Sequence, residues 1–363
     1  MGKLHLVLGL SALIAINSIC AQTICSKSKR REAFEQATAT SQHFQLDCHL
    51  TFSSPGDVIT KRIVFAGSKS SNVILNCNGG SINYTDFGDK NGYIDAVTIK
   101  SLKYGSDPLE GYSRPENTTI ENCKINGSMR IKGMGSNGEA EAIKYSSRIS
   151  GHTQRIRNSS PTGIVVQNTI INSVTGRIPL YIAPGVTYTY VSGSEFKGYS
   201  ASVGIYLDTE SGYNTFDGNY IHVSTDVREQ VAIDSSNHNV FSSNLFSAIN
   251  HGGIYLYRNC GEGGTIRHTS PQHNEIVFNK FYYKHYDGPN QAIVLGSRQG
   301  RRSYCSLDKG FPFGSSVSNL DHARYNIVTD NLFLNRNPSN YIDDEGDDNF
   351  VKFNRQVSSF VGL

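Results

Sequence analysis

A short pattern of asparagine and apolar residues recurs along the chain and constrains its fold more than any other feature. It reads Asn-x-apolar-x-x-Asn-x-apolar, and its clearest copies occupy residues 214–221, 239–246, 274–281 and 326–333. Weaker copies lie at 118–125, 163–170, 189–196 and 349–354. Apolar residues alternate within each copy with the period of a β-strand. A short strand unit of this kind cannot bury its apolar face alone, so it must stack on its neighbours.

The spacing of the copies indicates a solenoid. From residue 163 onward the copies start 23 to 26 residues apart, except for two intervals of 35 and 52 residues that carry insertions. The spacing predicts an all-β stack of rungs of about 25 residues, with equivalent asparagines hydrogen-bonded in ladders along the stack. The alternative is a β-sandwich with Asn-rich turns. The polar segments 133–159, 261–272 and 296–322 are predicted to be loops that project from the stack.

These motifs resemble those of right-handed parallel β-helix proteins of the pectate-lyase-like type. The resemblance covers residues 57–353, and the segment VILNCNGGSI at 73–82 is similar to an early rung of such proteins. It implies a right-handed parallel β-helix and an activity or binding directed at carbohydrate. A short amphipathic helix at 29–42, with Phe34 and Ala37 on its apolar side, is expected to cap the open end of the stack.

The N-terminus has the pattern of an export signal. An apolar run over residues 6–19 follows Lys3 and precedes Ala21, and it is too short to span a bilayer. We therefore expect a signal peptide at 1–21, an N-terminal cap at 22–56 and the β-helix at 57–363. The mature protein is expected to be secreted or periplasmic, without a membrane span, and monomeric.

Six cysteines remain after residue 21, and an exported chain can pair them. Six cysteines allow fifteen pairings. Sequence order suggests Cys25–Cys48, Cys77–Cys123 and Cys260–Cys305.

Charge and motif content exclude several functions. The chain of 363 residues has 34 basic and 31 acidic residues and a net charge of +3, so no nucleic-acid partner is expected. The sequence contains no C-x-x-C pair, so a zinc site is not expected. No cofactor is predicted. The acidic run 343–348 could bind calcium, although a solvated turn is the alternative.

A second set of strands precedes the asparagine motifs and gathers the candidate site residues. Aligning Ile182, Leu207, Ile233, Leu256, Leu295 and Ile342 as inward-facing residues places two columns on the outer face. One column reads Ala183, Asp208, Asp234, Tyr257, Gly296 and Asp343, and the other reads Tyr181, Tyr206, Ala232, Tyr255, Val294 and Tyr341. The alignment predicts that Asp208 and Asp234 stack and that one of their pKa values is raised. Further candidates near this face are Arg258, Arg298, Glu210, His251 and His268.

Three functions remain open for this face. In a lyase or C5-epimerase for a uronic-acid polysaccharide, Arg258 or Arg298 would neutralise the substrate carboxylate, and Tyr257 or a histidine such as His251 would exchange the proton. In a glycoside hydrolase, Asp208 and Asp234 would be the acid and the base. In a non-catalytic glycan-binding or scaffolding protein, Tyr181, Tyr206 and Tyr255 would form a platform for sugar rings, with Glu210 and His268 beside it.

Overall fold

The computed structural model describes residues 23–84, 95–135, 138, 140–282, 290–303 and 314–359. The predicted signal at 1–21 and Cys305 lie outside these described residues.

Three long parallel sheets run the length of the described chain, and each turn of the chain adds one strand to each sheet. The first sheet consists of β1 (His43–Gln45), β4 (Arg62–Ala66), β7 (Asp95–Lys100), β12 (Ser128–Lys132), β15 (Leu180–Ile182), β18 (Ile205–Leu207), β22 (Val231–Asp234), β25 (Ile254–Tyr257), β28 (Ile293–Leu295) and β31 (Ile342–Asp344). The second consists of β2 (Leu50–Thr51), β5 (Ile74–Asn76), β10 (Thr119–Glu121), β13 (Val165–Gln167), β16 (Tyr190–Ser192), β19 (Thr215–Asp217), β23 (Val240–Ser242), β26 (Glu275–Val277), β29 (Ile327–Thr329) and β32 (Phe350–Lys352).

The third sheet closes each rung. It consists of β3 (Val58–Ile59), β6 (Ser81–Ile82), β11 (Lys124–Asn126), β14 (Ile170–Gly176), β17 (Glu195–Ser200), β20 (Tyr220–Ile221), β24 (Leu245–Phe246), β27 (Lys280–Phe281), β30 (Leu332–Leu334) and β33 (Arg355–Val357), with β21 (Ser224–Thr225) paired to β17. A separate antiparallel hairpin joins β8 (Leu102–Lys103) to β9 (Tyr112–Ser113). The protein is a right-handed parallel β-helix, as predicted.

The asparagine ladders form as predicted. Asn214, Asn239, Asn274, Asn326 and Asn349 hydrogen-bond in series at 2.9–3.1 Å, and so do Asn219, Asn244, Asn279, Asn331 and Asn354. Between the sheets, apolar side chains stack from rung to rung, for example Phe216 on Phe241 with ring centroids 4.6 Å apart. Stacking therefore joins faces that no single rung could bury.

A short helix packs near the first strands. Helix α1 (Lys27–Phe34) begins at Ser26, whose hydroxyl accepts a hydrogen bond from the Lys29 amide. It buries Ala33 and packs Phe34 against Phe52 at 5.0 Å. The helix is shorter than predicted because Glu35 already has an extended backbone.

The insertion at 133–159, which the sequence predicted to be a loop, contains two helices. These are α2 (Glu141–Ser147) and α3 (His152–Ser159). Ile143 and Ile156 are buried with Met134 in a small core of their own. This apolar cluster explains why the segment folds into helices.

Two predicted disulfides are confirmed, Cys25–Cys48 and Cys77–Cys123. Cys260 is disulfide-bonded, whereas Cys305 lies outside the described residues. Disulfides persist mainly in oxidising compartments, so they favour an exported protein. Within the part of the chain that the structure describes, no helix has the length and apolar character needed to cross a membrane.

Candidate functional site

The outer face of the first sheet has the predicted register over most of its length. Ile182, Leu207, Ile233, Leu256 and Leu295 pair in succession, and Asp234 lies beside Tyr257.

The last rung is shifted by two residues from the prediction. Ile342 pairs with Ile293 rather than Leu295, so Asp343 lies beside Val294. A turn that contains Pro338 ends at Tyr341, and the Tyr341 carbonyl accepts hydrogen bonds from Ala292 and Ile293. These bonds fix the shifted register.

Two tyrosines of this face hydrogen-bond to neighbouring aspartates. Tyr181 and Tyr206 stack at 5.4 Å, as the register predicts. The Tyr181 hydroxyl donates to Asp208 and the Tyr206 hydroxyl donates to Asp234, both at 2.5 Å. Tyr181 is buried and Tyr206 is half-buried. This part of the face is therefore a hydrogen-bonded layer and does not present a bare platform.

Asp208 also forms a buried ion pair. Its carboxylate accepts a hydrogen bond from Arg267 at 2.8 Å, and each of the two side chains is 3% exposed. Burial raises the pKa of Asp208 and the charge of Asp234 adds to this effect, whereas Arg267 opposes it. Asp234 is fully buried and accepts a hydrogen bond from the Asn259 amide at 2.7 Å.

Glu210 and His268 lie beneath the helical insertion. Glu210 is fully buried and accepts hydrogen bonds from the Thr153 hydroxyl at 2.6 Å and the His268 amide at 2.8 Å. The ring of His268 lies 4.8 Å from that of His152. Burial lowers the pKa of His152 to about 4, so this ring is neutral at pH 7. These contacts join α3 to the loop that carries Arg267 and cover the Asp208 side of the face.

An open cavity of about 440 Å³ lies farther along the same face. Four predicted site residues line it, namely Tyr255, Tyr257, His251 and Arg298. The sequence analysis missed its other lining residues, which are Val227, Arg228, Glu229, Asn290, Ser297, Arg301 and Arg302. The strand register, continued three residues back from Ile254, would have placed Arg228 and Asn290 in the rungs on either side of His251.

Three arginines of the cavity contact different neighbouring side chains. Arg228 binds Glu229 through two nitrogens at 2.8 and 3.1 Å and donates to the Tyr257 hydroxyl. Arg301 pairs with Glu345 at 2.6 Å. Arg298 donates to the side chain of Asn259, and its guanidinium lies 3.8 Å from the centroid of the Tyr257 ring. Four arginines and one carboxylate, Glu229, line the cavity, so its lining carries an excess of positive charge.

Two side chains of the cavity can handle protons. Nδ1 of His251 lies 2.8 Å from the Thr225 carbonyl, which can only accept, so Nδ1 carries a proton. In the neutral ring Nε2 is then the basic nitrogen. Burial raises the pKa of Tyr257, so its phenol is protonated at neutral pH.

Arg258 does not line the cavity. Its guanidinium donates to the Ser318 and Leu320 carbonyls, and burial lowers its pKa to about 10. In the acidic run 343–348, Asp344 likewise has partners within the protein. It accepts hydrogen bonds from the Gly346 backbone amide and the Asn349 side chain. Among the described residues, no group of three or more His, Cys, Asp or Glu side chains could hold a metal ion.

No family model and no curated protein matches this sequence. Similar solved structures include a mutant tailspike protein of E. coli bacteriophage HK620 in complex with a pentasaccharide (13% identity, TM-score 0.48, 86% of this chain and 49% of the tailspike). They also include an alginate lyase from Paenibacillus sp. (12%, 0.38, 72% and 96%) and a periplasmic alginate epimerase (9%, 0.42, 88% and 74%). This chain spans about half the length of the tailspike. At these identities the likeness concerns the fold alone.

Proposed function

We propose that this protein is an exported enzyme that acts on a uronic-acid-containing polysaccharide, as a lyase or a C5-epimerase. The observation that supports the proposal is the cavity in which four arginines accompany His251 and Tyr257. A sugar carboxylate is a planar anion, which a guanidinium binds through two parallel hydrogen bonds.

Arg298 is the best candidate for binding the substrate carboxylate. It lines the cavity together with His251 and Tyr257. Arg298 is held in place by its stacking on Tyr257. Neutralising the carboxylate makes the adjacent C5 proton more acidic, which both reactions require.

His251 is proposed as the base and Tyr257 as the acid. In a lyase, Nε2 of His251 removes the C5 proton, the C4–O4 bond breaks, a C4–C5 double bond forms and Tyr257 protonates the leaving O4. In an epimerase, the same C5 proton is removed and Tyr257 returns a proton to the opposite face of C5. Both schemes balance without a cofactor.

A glycoside hydrolase that uses Asp208 and Asp234 is the second candidate. The raised pKa of Asp208 favours it, because a general acid must hold its proton near neutral pH. Its support is weaker, because both carboxyls are buried and Asp208 is paired with Arg267.

The test is incubation of the purified protein with alginate, polygalacturonate and a neutral glucan. Ultraviolet absorbance of unsaturated uronates reports a lyase, deuterium incorporation at C5 in D₂O without cleavage reports an epimerase, and reducing ends without absorbance report a hydrolase. We expect signal only on the acidic polymers. Hydrolysis would indicate a glycoside hydrolase that uses Asp208 and Asp234. Binding without turnover would indicate a non-catalytic glycan-binding protein.

Three substitutions locate the chemistry in the cavity. Arg298→Ala, His251→Gln and Tyr257→Phe should each lower kcat/KM by at least about a hundredfold, the scale of a lost acid, base or charge stabiliser. Arg355→Ala, an exposed arginine in β33, is the matched control and should retain full activity. Equal activity in all four variants would contradict the assignment.

A further inference from the structure

A column of five aromatic rings lies at the corner between the first and second sheets. We call it the aromatic ladder; its members are Tyr188, Tyr213, His238, His273 and Tyr325. The last four each precede an asparagine of the first Asn ladder. Successive ring centroids lie 5.1, 4.7, 4.9 and 5.2 Å apart, and the rings are stacked. The ladder belongs to a different face of the stack from the cavity.

All five residues have a backbone conformation that bulky side chains rarely adopt. Their φ angles lie between 54° and 58°, in the left-handed region. Earlier rungs fill the same corner with Asn72, Asn117 and Gly163, which tolerate positive φ far better. The chain therefore carries aromatic rings in five successive rungs where asparagine or glycine would be less strained.

Burial does not explain these rings. Tyr188 is 58% exposed, Tyr213 is 36% and Tyr325 is 47%, and both histidines are exposed as well. Stacking offsets part of the strain. Strained residues that persist are concentrated at functional positions, where a ligand or partner uses them.

The chemistry of the ladder fits sugars. Because the ring faces cover one another, solvent meets ring edges, phenol hydroxyls and imidazole nitrogens, which combine apolar contact with hydrogen bonding. The adjoining column of the second sheet adds Tyr190 and Ile327, which are 41% and 37% exposed. We call the aromatic ladder together with this column the strip. Arg157, 5.4 Å from the Tyr213 ring, and exposed Glu275 bring charges of opposite sign, so the strip favours an uncharged ligand.

We propose that the aromatic ladder and its adjoining column bind an extended, uncharged polysaccharide chain laid along the axis of the stack. Neighbouring strands are about 4.8 Å apart, so the same groups recur at regular intervals over five rungs. Only a polymer of similar units can meet all of them at once, and the repeated weak contacts then add. This binding does not depend on any reaction in the cavity.

The test is affinity electrophoresis in native gels that contain hydroxyethyl cellulose or galactomannan. The triple variant Tyr213→Asn/His273→Asn/Tyr325→Asn introduces the residue that earlier rungs use at this corner. We expect its apparent Kd to rise at least about tenfold while its Tm stays equal to or above that of the wild type, because strain is relieved.

Two matched variants isolate the ladder. Phe278 is also aromatic, 59% exposed and at φ 58°, but it lies at the corner between the second and third sheets, so Phe278→Asn should bind normally. Arg298→Ala should also bind normally, which separates the ladder from the cavity.

Several outcomes would overturn the proposal. One is a wild-type protein that neither polymer retards, and another is a triple variant that binds as tightly as the wild type. A lower Tm of the triple variant with unchanged binding would make the ladder a structural feature. Self-association of the wild type that the triple variant loses, without glycan binding, would make the strip a protein interface.

Discussion

Replacing Asn279, in the middle of the second Asn ladder, should destabilise the fold strongly. Its side-chain oxygen accepts hydrogen bonds from the backbone amide and the side-chain amide of Asn244, both at 3.0 Å. Its own amide donates to Asn331 at 3.0 Å and to the Phe241 carbonyl at 2.8 Å. Asn279 is fully buried, so water cannot replace these partners.

The expected cost follows from the groups that are left unpaired. Asn279→Ala leaves two N–H groups of Asn244 buried without an acceptor, and each such group costs about 1–3 kcal/mol. The free energy of unfolding should therefore fall by about 2–6 kcal/mol. Asn279→Asp should cost more at neutral pH, because it replaces the donating amide by a carboxylate oxygen that faces two acceptors, the Asn331 side-chain oxygen and the Phe241 carbonyl. That variant should recover part of its stability as pH falls, because the folded state would bind a proton more tightly than the unfolded state.

Urea unfolding followed by circular dichroism and by tyrosine fluorescence measures the change, and coincidence of the two curves tests for a single transition. The matched control is Asn354→Ala at the last rung. Asn354 accepts the equivalent pair of hydrogen bonds from Asn331, at 3.1 and 2.9 Å, but it is only half-buried. Water can enter there, so its loss should cost about 1 kcal/mol. Equal costs for the two variants would refute the reasoning that burial makes the ladder strong.

Three further outcomes test other parts of the structure. Arg267→Met should lower the free energy of unfolding by about 3–5 kcal/mol, because it leaves the Asp208 carboxylate buried without its ion-pair partner. The Tm of this variant should recover as pH falls and Asp208 takes up a proton. A Tm that does not recover would count against the pairing. For His152, whose folded pKa of about 4 is below its ordinary value, stability should decline as pH falls from about 6.5 to about 4, and His152→Gln should flatten that part of a Tm-against-pH curve. Replacing Cys77 and Cys123 by alanine should cost about 4 kcal/mol in urea unfolding, given a separation of 46 residues; a loss under about 1 kcal/mol would contradict this.

Much of the fold could be predicted because each rung repeats the same local rules. The asparagine pattern marks the ladder positions, and alternation gives the inward residues, so the register from Ile182 to Leu295 followed directly. The prediction for the last rung was wrong, because the register of that rung depends on a turn before Tyr341 that breaks the repeat. The strand repeat does not give the length of such a turn.

The site was harder to predict because it depends on contacts between insertions. His268 and Ser147 are distant in sequence, yet the His268 ring hydrogen-bonds the Ser147 carbonyl at 2.7 Å, and this contact helps to cover the face that Tyr181 was expected to leave open. Arg228 was missed because it precedes β22: the register gives its rung, but the alternation of the strand does not give the direction of its side chain. The arginines of the cavity all lie outside the strands, so the strand pattern does not show which of their side chains reach it.

The Asn ladder has a consequence for how such a protein can change over time. Its hydrogen bonds keep lengths of 2.9–3.1 Å whether the joined residues are 23, 25, 35 or 52 positions apart. The hydrogen bonds of the ladder therefore depend on which rungs are adjacent in the stack. They do not depend on the number of residues between those rungs. Corner segments can be lengthened or exchanged while the scaffold keeps its geometry, so new binding loops can be grafted between Asn239 and Asn326 without redesigning the core.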